Sequence, residues 1–267
     1  MKGYKMKKTI LNVLMVVCVL VAVGCGGYLG YYYYTSYQTE NEFDDLRNLV
    51  SDKKTEQTDS AEEFVDVDGI FVQKEFEQLY KKNKDFIGWV TIDDTHIDYP
   101  VMYSPSDQEG GEYYIHRDYD GKYSSAGLPF IDANCSVNPA TDNIIIYGHN
   151  MNAGTMFHDL LQYEDKDFYQ KHKTFSFDTI YGDGTYEVVS VIRGQILPDD
   201  STAFKYYEFV NAGSKEEFEK YVDNIKAMSL MDTGVEVEYG DELITLSTCA
   251  YHVKDGRFAI VAKKIKE

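Results

Sequence analysis

The chain has 267 residues, enough for one membrane anchor and one domain with a core large enough to fold on its own. Its formal net charge of −19 argues against nucleic-acid binding, because the sequence holds no basic stripe to neutralise phosphates. Apolar residues make up 43% of the sequence, which excludes a disordered chain, and the 24 tyrosines favour half-buried strands and hence a mainly β domain.

The N-terminus combines a basic segment with a long apolar run. Four lysines precede residues 10–30, a stretch of about the 20 residues that a helix needs to cross a bilayer. This run is longer than the apolar core of a signal peptide, and the tyrosines at 31–34 stand where an aromatic belt would anchor the far interface. We expect residues 1–8 in the cytoplasm, residues 9–34 as a transmembrane signal-anchor, and the rest outside the cell.

Cys25 offers a second interpretation of the same region. Val-Gly-Cys loosely resembles a lipoprotein processing site, in which Cys25 would become a lipidated N-terminus, although Ala22 stands where leucine is usual. Either arrangement tethers the chain to the outer face of a membrane.

The other cysteines bear on metals and disulfides. Cys18 and Cys25 lie in the apolar run, so only Cys135 and Cys249 are available for a disulfide in the folded part. No CxxC spacing occurs, which argues against a structural zinc site, and we expect no metal and no cofactor.

An acidic segment follows the apolar run. Residues 35–67 hold many acids and few apolar residues, which predicts a solvated stalk or linker before a domain at 68–267. Its first part has helical spacing of Phe43, Leu46 and Val50. A short amphipathic helix is then expected, with one face made of Phe71, Phe76 and Tyr80.

Eight further segments predict β-strands, separated by turn signals such as Asp-Gly and proline. They are residues 86–92, 97–103, 127–133, 143–149, 175–181, 186–196, 242–249 and 258–265. Two helices interrupt them, one over 156–172 and one over 214–229. The second has Ser214 as N-cap, Glu217 at the capping-box position, and an apolar face of Phe218, Tyr221, Val222 and Ile225. This pattern predicts a closed or nearly closed eight-stranded β-barrel with peripheral helices.

Cys249 is the candidate nucleophile. It ends an apolar strand where the sequence turns polar, so its thiol is expected at a barrel rim. A free thiol is only a few per cent ionised near neutral pH and needs a base or a positive partner. If the strands around the Asp-Gly turn pair about Val253, Arg257 faces Cys249 with Cβ atoms about 5 Å apart. There the guanidinium would favour the thiolate and stabilise an oxyanion, the alternative being an ordinary exposed arginine.

Histidine is the expected base, and the sequence offers six. His149 is favoured because it ends a buried strand at a barrel rim, and His252, close to Cys249 in sequence, is the second candidate. The others fall on a predicted helix (His158 and His172) or in turn-like segments (His96 and His116).

These motifs resemble a known family. TLSTC at 245–249, Arg257 eight residues later, and YGH at 147–149 resemble the signature of sortases, the transpeptidases that attach surface proteins to Gram-positive cell walls. GWVTIDDTHIDYPVM at 88–102 is similar to the start of the sortase barrel, so the resemblance covers roughly residues 70–265. The helix at 214–229, the helix before the barrel and the serine of TLSTC resemble class B.

The resemblance implies a sortase-type barrel with its catalytic domain at 68–267 and a role for each motif residue. Cys249 would be the nucleophile, His149 the general acid/base, and Arg257 the residue that positions substrate and stabilises the oxyanion. The groove for the sorting signal would be lined by Tyr147, Ser247 and Thr248.

The implied reaction is acyl transfer from a surface protein with an LPxTG- or NPxTN-like C-terminal sorting signal. A thioacyl-enzyme would form at the signal's threonine and be resolved by an amine of a peptidoglycan precursor, or by a lysine of a pilin in a polymerising enzyme. Two other classes stay open. One is another thiol enzyme, either papain-like, in which Cys precedes His, or L,D-transpeptidase-like, in which His and Gly stand just before Cys. The other is a non-catalytic binding module on the same fold.

Overall fold

A computed structural model describes residues 2–56 and 63–266, which divide into two units, Met1–Glu42 and Phe43–Glu267. Helix α1 (Lys2–Glu56) contributes to both. In the first unit, Ile10–Tyr34 is a 25-residue stretch with a mean hydropathy of 2.5 and no buried side chains. It is long and apolar enough to cross a membrane, as the predicted anchor requires.

The second unit is built on a closed barrel, which confirms the predicted fold class. Its strands are β3 (Phe86–Thr91), β4 (Asp98–Met102), β5 (Phe130–Ile131), β6 (Asn143–Tyr147), β7 (Thr174–Thr179), β8 (Thr185–Gln195), β9 (Leu243–Cys249) and β10 (Gly256–Lys264). Around the barrel they follow the order β10-β8-β7-β3-β4-β5-β6-β9. Neighbours are antiparallel except for β4 with β5 and β6 with β9, which are parallel.

All eight predicted strands are present, and β5 differs most in length. Only Phe130 and Ile131 pair, whereas strand was expected over 127–133. Gly127 has a φ of +58°, and a Cβ there would lie 2.2 Å from the Ile115 carbonyl oxygen. The chain at Gly127 is therefore in tight contact with a loop and does not continue the strand.

Strand β10 is apolar without a break over residues 258–262 because both faces of the barrel wall are covered there. In β10, Phe258 and Ile260 belong to the core inside the barrel, while Ala259 and Val261 pack in a second cluster outside it. Helix α4 (Lys215–Met228) covers that outer cluster with Phe218, Tyr221, Val222 and Ile225. Full burial of each such large apolar side chain contributes about 1.5–3 kcal/mol.

The start of α4 agrees with the sequence. The Ser214 hydroxyl accepts a hydrogen bond from the Glu217 amide at 3.2 Å, as an N-cap does. The Glu217 carboxylate accepts from the Gly213 amide instead of the Ser214 amide, which shifts the expected capping box by one residue.

Two helix predictions need correction. The single helix expected over 156–172 is a 3₁₀-helix (Phe157–Glu164) followed by α3 (Lys166–Lys171), because extended Asp165 breaks the run and caps α3. The second correction concerns Phe71, which was expected on a short amphipathic helix and does not lie on one.

Phe71 lies on a hairpin of β1 (Phe64–Val67) and β2 (Ile70–Gln73), and α2 begins only later (Glu77–Lys82). The hairpin forms because Asp68 and Gly69 both take positive φ, as a two-residue hairpin turn requires.

The expectation of a solvated stalk is wrong for part of 35–67. Phe43 and Leu46 are each 1% exposed, and the Phe43 ring packs edge-on against Tyr99 at 4.9 Å. Arg47 Nε pairs with Asp98 Oδ2 at 2.7 Å. This part of α1 therefore packs on β4 as an amphipathic helix. Residues 57–62 lie outside the described residues, and the domain boundaries stay predictions.

Candidate active site

Three strand ends meet at one rim of the barrel. Strands β6 and β9 run parallel, with Tyr147 paired to Ser247, so the residues that follow them emerge on the same side. Strand β10 pairs antiparallel with β9, with Arg257 directly opposite Cys249. The register expected from the Asp-Gly turn is confirmed, and the topology brings His149, Cys249 and Arg257 to one place.

Gly256 holds the turn that makes Cys249 and Arg257 face each other. The Ala250 amide donates to the Gly256 carbonyl at 2.9 Å, and the Gly256 amide donates to the Val253 carbonyl at 3.2 Å. A Cβ on Gly256 would lie 2.1 Å from the Ala250 carbonyl oxygen, a contact no side chain tolerates. The close approach of the two strands at this point therefore requires glycine.

Hydrogen bonds beyond the end of β6 tie the segment around His149 to β9. The Gly148 amide donates to the Ser247 carbonyl at 3.1 Å, and the Thr248 hydroxyl donates to the Gly148 carbonyl at 2.7 Å. Asn150 Nδ2 then donates to the Cys249 carbonyl at 2.9 Å. Side chains thus continue the strand pairing past Tyr147.

A cavity of about 350 Å³ opens at this rim. Its lining includes all six residues predicted for the site and others from the connection between β4 and β5 and from the end of β8. The lining residues are Glu112, Ile115, Leu128, Phe130, Asp132, Tyr147, Gly148, His149, Ile196, Ser247, Thr248, Cys249 and Arg257.

His149 is half-buried and held by two neighbours. Its Nε2 lies 2.8 Å from the Ile115 carbonyl oxygen, and its ring stacks on that of His116 with centroids 5.2 Å apart. Because a carbonyl only accepts, Nε2 carries a proton, which leaves Nδ1 for proton exchange. Burial lowers the pKa of His149, the Ile115 carbonyl raises it in part, and the charge of His116 lowers it again. The neutral base is therefore favoured near neutral pH.

Among the described residues, His149 is the one histidine that lines the cavity. His252, the second candidate base, is exposed on the turn after Cys249 and is absent from the lining. His96 Nδ1 bonds with Asp159, and His158 Nδ1 bonds with Asn150 at 2.7 Å.

The three predicted groove residues line the cavity, but their hydroxyls are used within the protein. The Tyr147 hydroxyl donates to Asp132 at 3.2 Å, and the Ser247 hydroxyl bonds with that of Tyr206 at 2.8 Å. Thr248 is 2% exposed and bonded to Gly148. These side chains shape the wall more than they offer free polar groups.

Cys135 and Cys249 are both free thiols. Cys135 is 2% exposed, and burial raises its pKa to about 11, so it stays protonated and inert. Cys249 is the half-buried thiol that lines the cavity.

Sequence reasoning missed the cavity residues contributed by the long connection between β4 and β5. Glu112, Ile115 and Leu128 come from this segment, and the backbone carbonyl of Ile115 orients the candidate base. A backbone contact of this kind leaves no signature in residue type.

Comparison with known proteins agrees with this architecture. The family model described as the Sortase domain matches residues 90–265. Sortase B of Listeria monocytogenes is 36% identical over 196 residues, covering 73% of this chain and 75% of the relative. Sortase B of Staphylococcus aureus is 31% identical over 197 residues, covering 73% and 76%. A solved Staphylococcus aureus sortase B–substrate complex superposes with a TM-score of 0.73 at 27% identity, covering 86% of this chain and 98% of that one.

A closed mixed barrel with a free cysteine at its rim, together with these matches, defines a cysteine transpeptidase. The chain belongs to the sortase family, and within it to class B.

Replacing His116 with glutamine is expected to raise the pKa of His149. The substitution removes the stacked imidazole whose coulombic influence lowers the pKa of His149, and it keeps a side chain of similar bulk. Titration of the histidine ring protons by NMR measures the shift. His96→Gln, which alters a histidine outside the cavity, is the control, and an unchanged or lower pKa of His149 in His116→Gln would contradict the expectation.

Proposed function

We propose that this chain cleaves a C-terminal sorting signal after its threonine and transfers the surface protein to an amine of a cell-wall precursor. The observation that carries the proposal is the meeting of Cys249, His149 and Arg257 in one cavity at the barrel rim. The solved sortase B–substrate complex of Staphylococcus aureus supports it, since that relative takes a substrate on the same fold.

In the first step the Cys249 thiolate attacks the carbonyl carbon of the threonine. The guanidinium of Arg257, which faces Cys249 across the hairpin, stabilises the negative charge that forms on the carbonyl oxygen. His149 in its imidazolium form gives a proton to the departing amine, the C–N bond breaks, and a thioester remains on Cys249.

In the second step neutral His149 takes a proton from the incoming amine, whose nitrogen attacks the thioester. The C–S bond breaks, an amide forms, and the thiolate and imidazolium are restored. The lowered pKa of His149 favours this step and makes the imidazolium of the first step a minor form. We therefore expect slow turnover.

The apolar stretch Ile10–Tyr34 is proposed to anchor the enzyme, with the N-terminus in the cytoplasm and the catalytic unit outside the cell. Enzyme, surface protein and lipid-linked acceptor would then share one membrane surface. Such tethering raises their effective concentration and offsets slow chemistry.

The test is to incubate the protein with LPxTG-, NPxTN- and SPxTG-like peptides and to measure intact mass. We expect at least one peptide to add the mass of its fragment ending in threonine. If no peptide is cleaved after threonine and no adduct forms, the proposed activity is wrong. Adding a glycine peptide or a pilin-like lysine peptide then shows which amine resolves the adduct, and a lysine product would assign pilin polymerisation.

A further inference from the structure

The hydrogen bond from Asn150 to Cys249 is partly buried and has a fixed direction. Asn150 is 7% exposed, and its Nδ2 donates to the Cys249 carbonyl at 2.9 Å. Because that carbonyl only accepts, the amide cannot be turned over, and Oδ1 must face His158 Nδ1 at 2.7 Å. His158 therefore carries a proton on Nδ1. It donates to Asn150 Oδ1, and Asn150 Nδ2 in turn donates to the Cys249 carbonyl.

The Cys249 carbonyl depends on this side chain because the strand pairing leaves it out. Ala250 and Gly256 are joined by a backbone hydrogen bond, so the next pair, Cys249 with Arg257, is a non-hydrogen-bonded pair of the hairpin. The Cys249 carbonyl then points away from β10, toward the chain that follows β6. Removing the Asn150 side chain would therefore take away the hydrogen-bond partner of this carbonyl.

The same short segment carries the candidate base. His149 precedes Asn150 directly, and the His149 carbonyl accepts from the Phe157 amide at 2.8 Å. The Asn150–Met156 bridge and the Asn150–His158 hydrogen bond brace the loop that follows. The side chain of Asn150, the residue after the candidate base, is therefore hydrogen-bonded to the main chain of Cys249, the candidate nucleophile.

We propose that Asn150, oriented by His158, is a positioning residue that sets the distance between the His149 ring and the Cys249 sulfur. The inference rests on the proposed function, in which the Cys249 thiolate attacks the carbonyl carbon while His149 protonates the departing amine. Misplacing reacting groups by about 1 Å can cost about 100-fold in rate. The Asn150 side chain bonds to the Cys249 carbonyl and to His158 and is not part of the cavity lining, so its removal should slow acylation and leave peptide binding unchanged.

The test compares the Asn150→Ala and Asn150→Asp variants with the wild-type protein, all as full-length chains in detergent. The substrate is a peptide that acylates the wild type. Asn150→Asp keeps the shape but lacks the donor, and Asn152→Ala, which alters an exposed residue of the same loop, is the matched control. We expect both Asn150 variants to lose about 10- to 100-fold in the acylation rate constant with KM unchanged. His158→Ala should show a smaller loss of the same kind.

One further readout separates positioning from folding. The rate of Cys249 alkylation by iodoacetamide, followed against pH, should lose its His149-dependent part in both Asn150 variants and keep it in Asn152→Ala. The proposal would be overturned if the Asn150 variants were acylated at the wild-type rate, or if only their KM changed. A wild-type protein that forms no adduct would instead contradict the proposed function, and the alkylation profiles would still decide the role of Asn150.

Discussion

Cys249→Ala is expected to form no thioacyl adduct and to lose transpeptidation by about 10⁴-fold or more. The reason is that Cys249 is the half-buried thiol lining the cavity, opposite Arg257 and tied through its carbonyl to the segment that carries His149. Alanine keeps the backbone contacts and removes only the sulfur, so the fold should be retained. Intact-mass measurement after incubation with peptide, alongside the rate of amide formation, checks the result.

Cys135→Ala is the matched control for the loss of a thiol. The Cys135 sulfur accepts a hydrogen bond from the Ile145 amide at 3.4 Å inside the protein, so its removal affects stability, not chemistry. We expect a lower melting temperature with the adduct still formed. An adduct or peptide cleavage that persists in Cys249→Ala would show that another residue is the nucleophile.

Arg257→Lys is expected to lower the acylation rate by about 10²- to 10³-fold, the cost of removing one oxyanion donor. Lysine keeps the positive charge but loses the planar fork that offers several N–H donors in fixed directions. In the structure this fork is held at the rim by a hydrogen bond from Nη1 to the Gly256 carbonyl at 3.1 Å. Single-turnover acylation kinetics provide the measurement.

Arg193→Lys tests whether any arginine on the barrel behaves in this way. Arg193 lies on β8, is paired with Phe258 in register, and forms an ion pair with Glu164 away from the cavity. Its substitution should leave acylation within about twofold of wild type, since changes at exposed ion pairs cost little. Undiminished acylation in Arg257→Lys would exclude the proposed role of the guanidinium fork.

The sequence predicts the barrel well because alternation, apolar runs and turn residues are local signals. The pairing of Cys249 with Arg257 follows from one short turn, so it too is predictable. The hairpin at Asp68 and Gly69 carried an equally local signal that the helical spacing of Phe71 and Phe76 obscured.

Other features depend on contacts between distant segments. Phe43 and Leu46 lie in an acidic stretch of the sequence. They are buried because this stretch packs against β4, a contact that the local sequence does not reveal. From the sequence, His149 is only the favoured candidate among six histidines. In the structure β6 pairs with β9, about a hundred residues later in the chain, and this pairing brings His149 into the same cavity as Cys249. The Ile115 carbonyl that fixes its proton comes from a third segment.

The strand order has a consequence for the folding chain. The thiol and the arginine lie on β9 and β10, the last strands of the barrel, and β9 meets β6 only when the barrel closes. Until β9 meets β6, Cys249 is near Arg257 through the hairpin but lacks His149, the proposed base, and Asn150, the partner of its carbonyl. A partly folded chain therefore carries Cys249 as an ordinary thiol, and the proposed pairing of nucleophile and base forms only when β9 and β6 meet.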